Sequence, residues 1–278
     1  MSVAAGISPG KQAPTLDEQG PKVPLWRTPW GIALLRIAIV VIFLAAWELA
    51  SGRVVSKFWV SSPSAIFAVL RRWVMDGSLW MHLEATLSAI GIGYVIGCAV
   101  GILFGLLLGF LPRAQRVLSP FLSAFYSIPK IALAPLFVIL FGIGIESKIC
   151  LVAVTVFFLV LFSTIDGIRD VDADLVESLE IMGASRSEIA AKLIIPAAKP
   201  WILTGMRISV RYATTAAILG EVFAANRGIG FLIEYNSGQF NAAGVFAAVL
   251  LLVLLGVLVT EFLTRFERGR APADMPSM

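Results

Sequence analysis

Two arginines stand inside a long apolar run in the second half of the sequence, where a charged side chain needs an explanation. Arg207 and Arg211 are four residues apart, so in a helix they lie on one face. An arginine at the centre of a bilayer costs about 2.5–3.5 kcal/mol on insertion scales, so Arg211, one turn deeper, should face a partner or a wet path. Thr214 and Thr215 follow within a turn, and their hydroxyls could help the guanidinium to bind an oxyanion. Two interpretations stay open: Arg211 helps to pass an anion, or it pairs with a carboxylate of a neighbouring helix.

Three further polar residues within apolar runs are candidates for such a path. Lys130 follows Pro129, which breaks a helix and frees backbone groups. Breaks at membrane depth are tolerated where the backbone is buried in protein or lines a cavity, so Ser127 and Lys130 are predicted path residues. Glu221 is a third candidate, although an ion pair within the bundle is its expected role. His82 and Glu84 open another run and are expected to cap it, with a role in substrate contact as the alternative.

The residue patterns that catalysis needs are missing from this sequence. It has one histidine and contains no Ser/His/Asp arrangement, no HExxH and no phosphate-binding P-loop pattern. Cys98 and Cys150 lie in apolar runs without ligand-type spacing, so neither a disulfide framework nor a zinc site is indicated. The net charge of +4 reflects lysine and arginine in loops and does not point to nucleic acid. The sequence therefore predicts a protein that is not an enzyme and holds no cofactor or metal.

The elements that must position the polar residues are membrane-spanning helices. Apolar residues make up 58% of the 278 and charged residues 14%, whereas soluble domains are about 45–50% apolar and about 25% charged. A span needs about 20 apolar residues. The sequence therefore predicts an all-α, multi-pass membrane protein with six transmembrane helices, at 31–50, 82–110, 118–142, 148–165, 203–223 and 242–263.

A shorter amphipathic stretch, residues 64–75, is too short to span a bilayer. It carries Arg71 and Arg72 beside its apolar face, which is typical of a helix lying in the membrane interface. Ser64 is the predicted cap of this helix.

The distribution of lysine and arginine predicts which side of the membrane each segment faces. With the amino terminus inside, internal segments hold 12 of these residues and external segments hold 6, so both termini and the loop 166–202 are expected in the cytoplasm. In residues 1–30 apolar residues do not recur at a helix or strand period, so this segment is expected to form a flexible tail. Residues 31–268 are expected to form the membrane domain, and residues 269–278 a second tail. No signal-peptide cleavage site follows the first run, which is expected to stay as an anchor.

Five glycines recur at every fourth position of the second run. A step of four residues turns a helix by about 400°, so these glycines form one slowly winding stripe. Small residues on such a stripe let another helix approach closely. Tight static packing is the preferred interpretation, and a surface along which a helix shifts is the alternative. The glycine stripe consists of Gly93, Gly97, Gly101, Gly105 and Gly109.

The stretch DLVESLEIMGASRSEIAAKLIIPAAKP, residues 174–200, interrupts the apolar runs with two short charged helices. Gly183 is predicted to end the first helix in the left-handed conformation. Ser185 and Glu188 form a capping box that begins the second helix, and Pro196 is predicted to end it. The acidic face of the first helix comprises Asp174, Glu177 and Glu180, and its apolar face comprises Leu175, Leu179 and Met182.

This helix–turn–helix, residues 174–196, is called the elbow below. Helix geometry alone favours two uses of its apolar edge equally: packing on the membrane or the bundle, and docking another protein. The arrangement of Glu177, Gly183, Leu193 and Ile195 before Pro196 resembles the EAA motif of ABC-importer permeases. The stretches LVESLEIMGASRSEIAAKLIIPAAKPWILTGMRIS, SIPKIALAPLFVILFGIGIESK, GEVFAANRGIGFLI and HLEATLSAIGIGYVIGCAVGILFGLLLG are similar to the nitrate/sulfonate/taurine branch of these permeases.

The likeness covers residues 31–268, with two departures. The two alanines that usually follow the glutamate of the motif are Ser178 and Leu179 here, and Arg211 stands where a glycine is expected.

The resemblance implies the permease subunit of an importer in the bacterial inner membrane. It implies a homodimer of permease chains in membrane lipid, separate ABC ATPase subunits that bind ATP, and a periplasmic or lipid-anchored substrate-binding protein. The implied solute is a small anion such as a sulfonate, taurine, nitrate or bicarbonate, although the branch also extends to aromatic and pyrimidine compounds. The residues implied in coupling to the ATPase are Asp174, Glu177, Glu180, Met182, Gly183, Ala184, Ser185 and Arg186.

An ion-coupled secondary transporter is the alternative function. In that case Lys130, Glu221 or Glu84 would carry protons. Such a transporter needs no docking elbow, which favours the importer.

Overall fold

The computed structural model describes residues 29–54, 56 and 58–268, and every regular element in these ranges is a helix. Nearly all of the predicted amino-terminal tail and all of the predicted carboxyl-terminal tail lie outside the described residues. The helices are α1 Pro29–Ala50, α2 Pro63–Met75, α3 Ser78–Gly109, α4 Pro112–Ser127, α5 Ala134–Phe141, α6 Ile145–Arg169, α7 Ala173–Ile181, α8 Arg186–Ile189, α9 Ile195–Phe223, α10 Ile229–Gly238 and α11 Ala242–Arg268, with a 3₁₀ turn at Lys130–Leu133 and a π turn at Ala190–Ile194.

The chain divides into two units, residues 1–50 and residues 51–278. The helix of the first unit, α1, has 22 residues and is apolar enough to cross a membrane. In the second unit α3, α6, α11 and the continuous helix of residues 186–223 also meet the length and composition of a span.

The predicted third span, residues 118–142, is a broken helix pair. Helix α4 and the segment Lys130–Phe141 meet at 83°. The predicted break at Pro129 is confirmed: Ile128 and Pro129 have extended backbone between the two helices.

The glycine stripe packs α3 against α6. A Cβ added at Gly97 would lie 2.7 Å from the Cβ of Val156, and one added at Gly105 would lie 2.5 Å from the Cβ of Thr164. Such distances are shorter than any ordinary contact, so the two backbones approach as closely as glycine allows. The predicted packing face is therefore confirmed. In the same register Gly93 faces Val152, Gly101 faces Val160 and Gly109 faces Ile168.

This register shows that α3 and α6 run parallel, because the residue numbers of facing positions increase in the same direction in both helices. The connection between them must therefore return the chain to the end of the bundle where α3 begins. The bent pair of α4 and α5 is the segment available for that return, so we count it as one crossing. With the five unbroken spans this makes six, as predicted.

Helix α6 is also the partner of α9 and carries the core. Gly205 of α9 lies against Ser163, and Gly220 lies against Leu151 and Lys148, so α9 runs antiparallel to α6. The fully buried side chains of α6 include Leu151, Val152, Val156, Val160 and Leu161.

Two predicted helix starts are wrong. Helix α2 is capped by Ser62, whose hydroxyl accepts a hydrogen bond from the Ala65 N–H at 3.3 Å, and Ser64 lies inside the first turn. Helix α3 begins at Ser78, one turn before the predicted start, so His82 is a buried residue within the helix and does not cap it.

Candidate coupling elbow and translocation path

The turn of the elbow has the conformation that the sequence predicts. Gly183 follows α7 with a φ of +84°, in the left-handed region. Its N–H donates to the carbonyl of Glu180 at 2.9 Å, and the N–H of Ala184 donates to the carbonyl of Leu179 at 3.0 Å. These two bonds form the Schellman arrangement that ends a helix on glycine.

The predicted capping box begins α8. The Ser185 hydroxyl accepts a bond from the Glu188 N–H at 3.4 Å, and the Glu188 carboxylate accepts one from the Ser185 N–H at 3.0 Å. Lys192 pairs with the same carboxylate at 3.1 Å. The start of the second elbow helix is therefore determined by local residues.

Pro196 does not end the second helix, contrary to the prediction. The helix continues from Arg186 to Phe223, and Pro196 lies in the first turn of α9. A π turn precedes it, in which the Ile195 N–H donates to the carbonyl of Ala190. The wider π turn rearranges the hydrogen-bond ladder just before the proline, which cannot donate. The elbow thus joins the fifth span as one continuous helix.

The surface of the elbow is acidic on one side and apolar at its tip. Of the residues predicted for coupling, Ala184 is half-buried and all the others are exposed. Met182 is 80% exposed and the neighbouring Ile181 is 81% exposed. Ile181 was not predicted, although its position beside Met182 before the glycine turn could have indicated it. Two large apolar side chains and the acids Asp174, Glu177 and Glu180 therefore form one projecting surface.

The base of the elbow is tied to two spans. The indole N–H of Trp201, on α9, donates to the carboxylate of Asp170 at the end of α6 at 3.0 Å. A Cβ added at Gly167 would lie 2.6 Å from the Cβ of Trp201, so the two helices touch there. The sequence did not reveal this link, because its partners are 31 residues apart.

Arg211, Thr214 and Thr215 line one cavity of about 510 Å³ between α9 and α11. The Arg211 side chain is exposed, and the two hydroxyls donate to the carbonyls of Val210 and Arg211 at 3.1 and 3.0 Å. Each hydroxyl oxygen still has lone pairs for another donor. Glu261 lines the same cavity. The structure therefore places near Arg211 both a carboxylate of a neighbouring helix and a space that could hold an anion.

Ser127 and Lys130 lie elsewhere, at the break after α4. The Lys130 ammonium binds the carbonyl of Tyr126 and lies 4.1 Å from the centre of that ring, with Phe158 at 5.6 Å. The Ser127 hydroxyl donates to the carbonyl of Ser123 at 2.8 Å. Neither residue lines the Arg211 cavity, so the structure does not bring these path candidates together.

Glu221 hydrogen-bonds the backbone of its own chain, and Lys148 attracts its carboxylate without a contact within 4.0 Å, so the expected ion pair is not a direct one. Glu221 is 3% exposed, and its carboxylate accepts a hydrogen bond from the Gly230 N–H at 2.8 Å. The N–H of Gly228 donates to Nδ1 of His82 at 3.0 Å. The N–H of Ile229 donates to Thr86 at 2.9 Å. Three consecutive amides at the start of α10 are thus held by side chains of α3 and α9.

Lys148, the first residue of the predicted fourth span, is buried beside this cluster. Its ammonium donates to the carbonyls of Ile143 at 2.8 Å and Gly144 at 3.0 Å, and also to that of Ala224. Lys148 and Glu221 line a cavity of about 410 Å³ with Glu84 and Arg227. This cavity lies at the end of the bundle opposite the elbow, because it holds the starts of α3 and α6. Within the described residues, no group of three or more potential metal ligands lies together.

Comparisons with known proteins agree with this arrangement. A family described as "Binding-protein-dependent transport system inner membrane component" matches residues 101–271. The formylaminopyrimidine transport permease protein ThiX of Halalkalibacterium halodurans is 36% identical over 82% of this chain and 91% of its own length. The putative aliphatic sulfonates transport permease protein SsuC of Bacillus subtilis is 32% identical over 87% of each chain. The taurine transport system permease protein TauC of Escherichia coli is 29% identical over 89% of this chain and 92% of its own.

Among solved structures, an inward-facing conformation of the MetNI methionine ABC transporter resembles the fold. The match has a TM-score of 0.56 and 23% identity, and it covers 72% of this chain and 97% of the other. At this identity the likeness concerns the fold alone.

Proposed function

Because the chain belongs to the family of binding-protein-dependent transport system inner membrane components, we propose that it forms the translocation path of an ATP-driven importer for a small anion. It is a multi-pass permease subunit of the inner membrane and not an enzyme. Family membership also decides against the ion-coupled secondary transporter considered above.

The elbow supports the proposed coupling to a separate ATPase. Its projecting surface combines the exposed Ile181 and Met182 with three carboxylates, and its turn is fixed by Gly183 and the capping box. The same segment continues into α9 and is tied to α6 through Trp201 and Asp170. A force applied to the elbow would therefore reach two spans. ATP binding has to stabilise either the inward-facing or the outward-facing conformation of the bundle over the other, and the elbow is the element that transmits this preference to the spans.

The Arg211 cavity carries the proposal that the solute is an anion. It places the Arg211 guanidinium beside a space of about 510 Å³, and a guanidinium donates charge-assisted hydrogen bonds to oxyanions. The hydroxyls of Thr214 and Thr215 donate to backbone carbonyls in this structure, so Arg211 supplies the donors. Relatives named for aliphatic sulfonates and taurine agree with an anion, whereas ThiX is named for a formylaminopyrimidine. We further propose Ser127, Lys130 and Glu221 as path residues at other depths.

The proposed assembly contains two copies of this chain, two ATPases that bind ATP, and an external binding protein. The family description supports a binding protein. The excess of lysine and arginine on the elbow side supports cytoplasmic termini and a cytoplasmic elbow.

The test is uptake by an Arg211→Gln variant reconstituted with its ATPase and binding protein. Charge-assisted hydrogen bonds are worth about 1.5–3 kcal/mol, so transport of taurine, ethanesulfonate or nitrate should fall about 10- to 100-fold. Assembly and ATP affinity should stay intact. Arg211→Lys, which keeps the charge, should recover part of the rate.

Two results would contradict the anion proposal. One is full uptake by Arg211→Gln, and the other is a cognate solute that carries no anionic group. Neither result would touch the coupling role of the elbow.

A further inference from the structure

Helix α2 has an outward face that the transport function does not explain. Phe67, Arg71 and Met75 follow one another at intervals of four residues, so they lie along one side of the helix. Phe67 is 69% exposed and Met75 is 73% exposed, whereas Ile66 on the other side is 5% exposed. The buried side packs on α3 and α11. An outward face with two large apolar side chains around an arginine is unusual for a helix surrounded by water.

A shallow cavity of about 490 Å³ opens on this face. It is lined by Ala68, Arg71, Arg72, Met75 and Asp76. Among the described residues, no ion pair within 4.0 Å involves either arginine. The carboxylate of Asp76 is engaged by Ser78, which donates its N–H at 2.9 Å and its hydroxyl at 2.6 Å. Asp76 also attracts Arg72 electrostatically, but neither guanidinium is in a direct ion pair, so both have hydrogen-bond donors for an external anion.

Exposed aromatic residues lie at the same end of the bundle. Phe58 stacks on Phe240 with ring centres 5.8 Å apart, and Trp59 meets Phe58 edge-on at 5.2 Å. All three are exposed. Phe240 has a φ of +53°, a conformation that side chains of this size rarely adopt. It lies two residues before the start of α11, one of the helices on which α2 packs. Aromatic residues at the ends of spans are typical of the membrane interface.

We propose that the outward face of α2 is a binding site for an anionic phospholipid. Arg71 and Arg72 bind the phosphate of the headgroup, and Phe67 and Met75 contact the upper acyl chains. The bilayer is the occupant that fits, because the face alternates cationic and apolar groups and follows directly into the span α3. Most lysines and arginines lie on the elbow side of the membrane, whereas Arg71 and Arg72 lie on the opposite side. Lipid binding explains why these two arginines are placed there.

The first test measures the depth of α2 in lipid. A nitroxide is attached to Phe67→Cys in the full chain, with Cys98 and Cys150 replaced by alanine, in bilayers containing phosphatidylglycerol. Asp76→Cys is the matched control, one residue beyond the end of the helix. We expect the label at Phe67 to be relaxed more by oxygen than by a water-soluble nickel chelate, and the label at Asp76 to show the reverse. Equal access of nickel to both labels would overturn the proposal.

The second test measures lipid selectivity by native mass spectrometry of the detergent-purified chain. A basic residue near an anionic surface is worth about fivefold in binding, so Arg71→Gln/Arg72→Gln should lose about 25-fold of the preference for phosphatidylglycerol over phosphatidylcholine. The control is Arg113→Gln/Arg116→Gln, which removes two exposed arginines from α4. It should keep the preference. An unchanged preference in the α2 variant, or the same loss in both, would overturn a specific site.

Discussion

At the scale of single residues, Gly183 determines the direction of the elbow. An added Cβ at this position would meet nothing within 4 Å, so space does not require glycine. The backbone does, because a φ of +84° costs an ordinary L-residue about 1–2 kcal/mol. Asparagine is the side chain that tolerates this region best, whereas proline is restricted to a φ near −65°.

We therefore expect Gly183→Pro to abolish substrate-stimulated ATP hydrolysis by the assembled importer, and Gly183→Asn to retain most of it. The physical reason is that proline redirects α7 relative to α8 while the spans stay folded. The measurement is stimulated ATPase activity of the purified complex, with subunit stoichiometry as the folding control. Normal stimulated activity in Gly183→Pro would refute the coupling assignment.

The buried charges Lys148 and Glu221 illustrate another residue-scale rule. A charge removed from water needs hydrogen bonds, and here each group finds them in the backbone. Lys148 binds three carbonyls, among them that of Ala224, just after α9. Glu221 binds the start of α10. These two residues therefore hold the connection from α9 to α10 in place.

At the scale of helices, the glycine stripe and its partners on α6 set the spacing of α3 and α6. The partners are Val152, Val156, Val160, Thr164 and Ile168, all β-branched and also four residues apart. β-Branched side chains are stiff, so they cannot move aside for an added methyl group.

Gly97→Ala should lower the stability of the purified chain by about 1–3 kcal/mol, the usual cost of overpacking. Gly91→Ala is the matched control in the same helix, because an added Cβ there would meet nothing within 4 Å. It should be neutral or stabilising by about 0.5–1 kcal/mol, since alanine favours helix. Thermal unfolding in detergent measures both. Equal melting temperatures for the two variants would mean that the α3–α6 contact is loose.

At the scale of the whole molecule, the parallel packing of α3 and α6 predicts a sidedness. The start of α3 and the end of α6 lie at opposite ends of the bundle, so Asp76 and Ser178 should be on opposite sides of the membrane. In a chain without native cysteines, a membrane-impermeant maleimide added to intact cells should label Asp76→Cys. It should label Ser178→Cys only after permeabilisation. Labelling of both from the same side would contradict the six-crossing topology.

The features that the sequence alone determined are those that depend on residues close together along the chain. The lengths of the apolar runs, the break at Pro129, the turn at Gly183 and the capping box of Ser185 and Glu188 each rest on residues within one or two helical turns. Local hydrogen bonds and the propensity of glycine and proline are enough to decide them. The period of the glycine stripe likewise predicted a packing face, although it could not name the partner helix.

What only the tertiary structure decided depends on residues far apart in the chain. The partner of Glu221 is a backbone amide at the start of α10, and the register of α3 on α6 joins residues 59 positions apart, as Gly97 and Val156 show. The separation of Lys130 from the Arg211 cavity belongs to the same class. Pro196 was mispredicted although its π turn is local, because its helix continues into the packed span α9. The type of a buried polar side chain determines which hydrogen bonds it must form. Only the packing of helices that are distant in the sequence determines which donor or acceptor forms them.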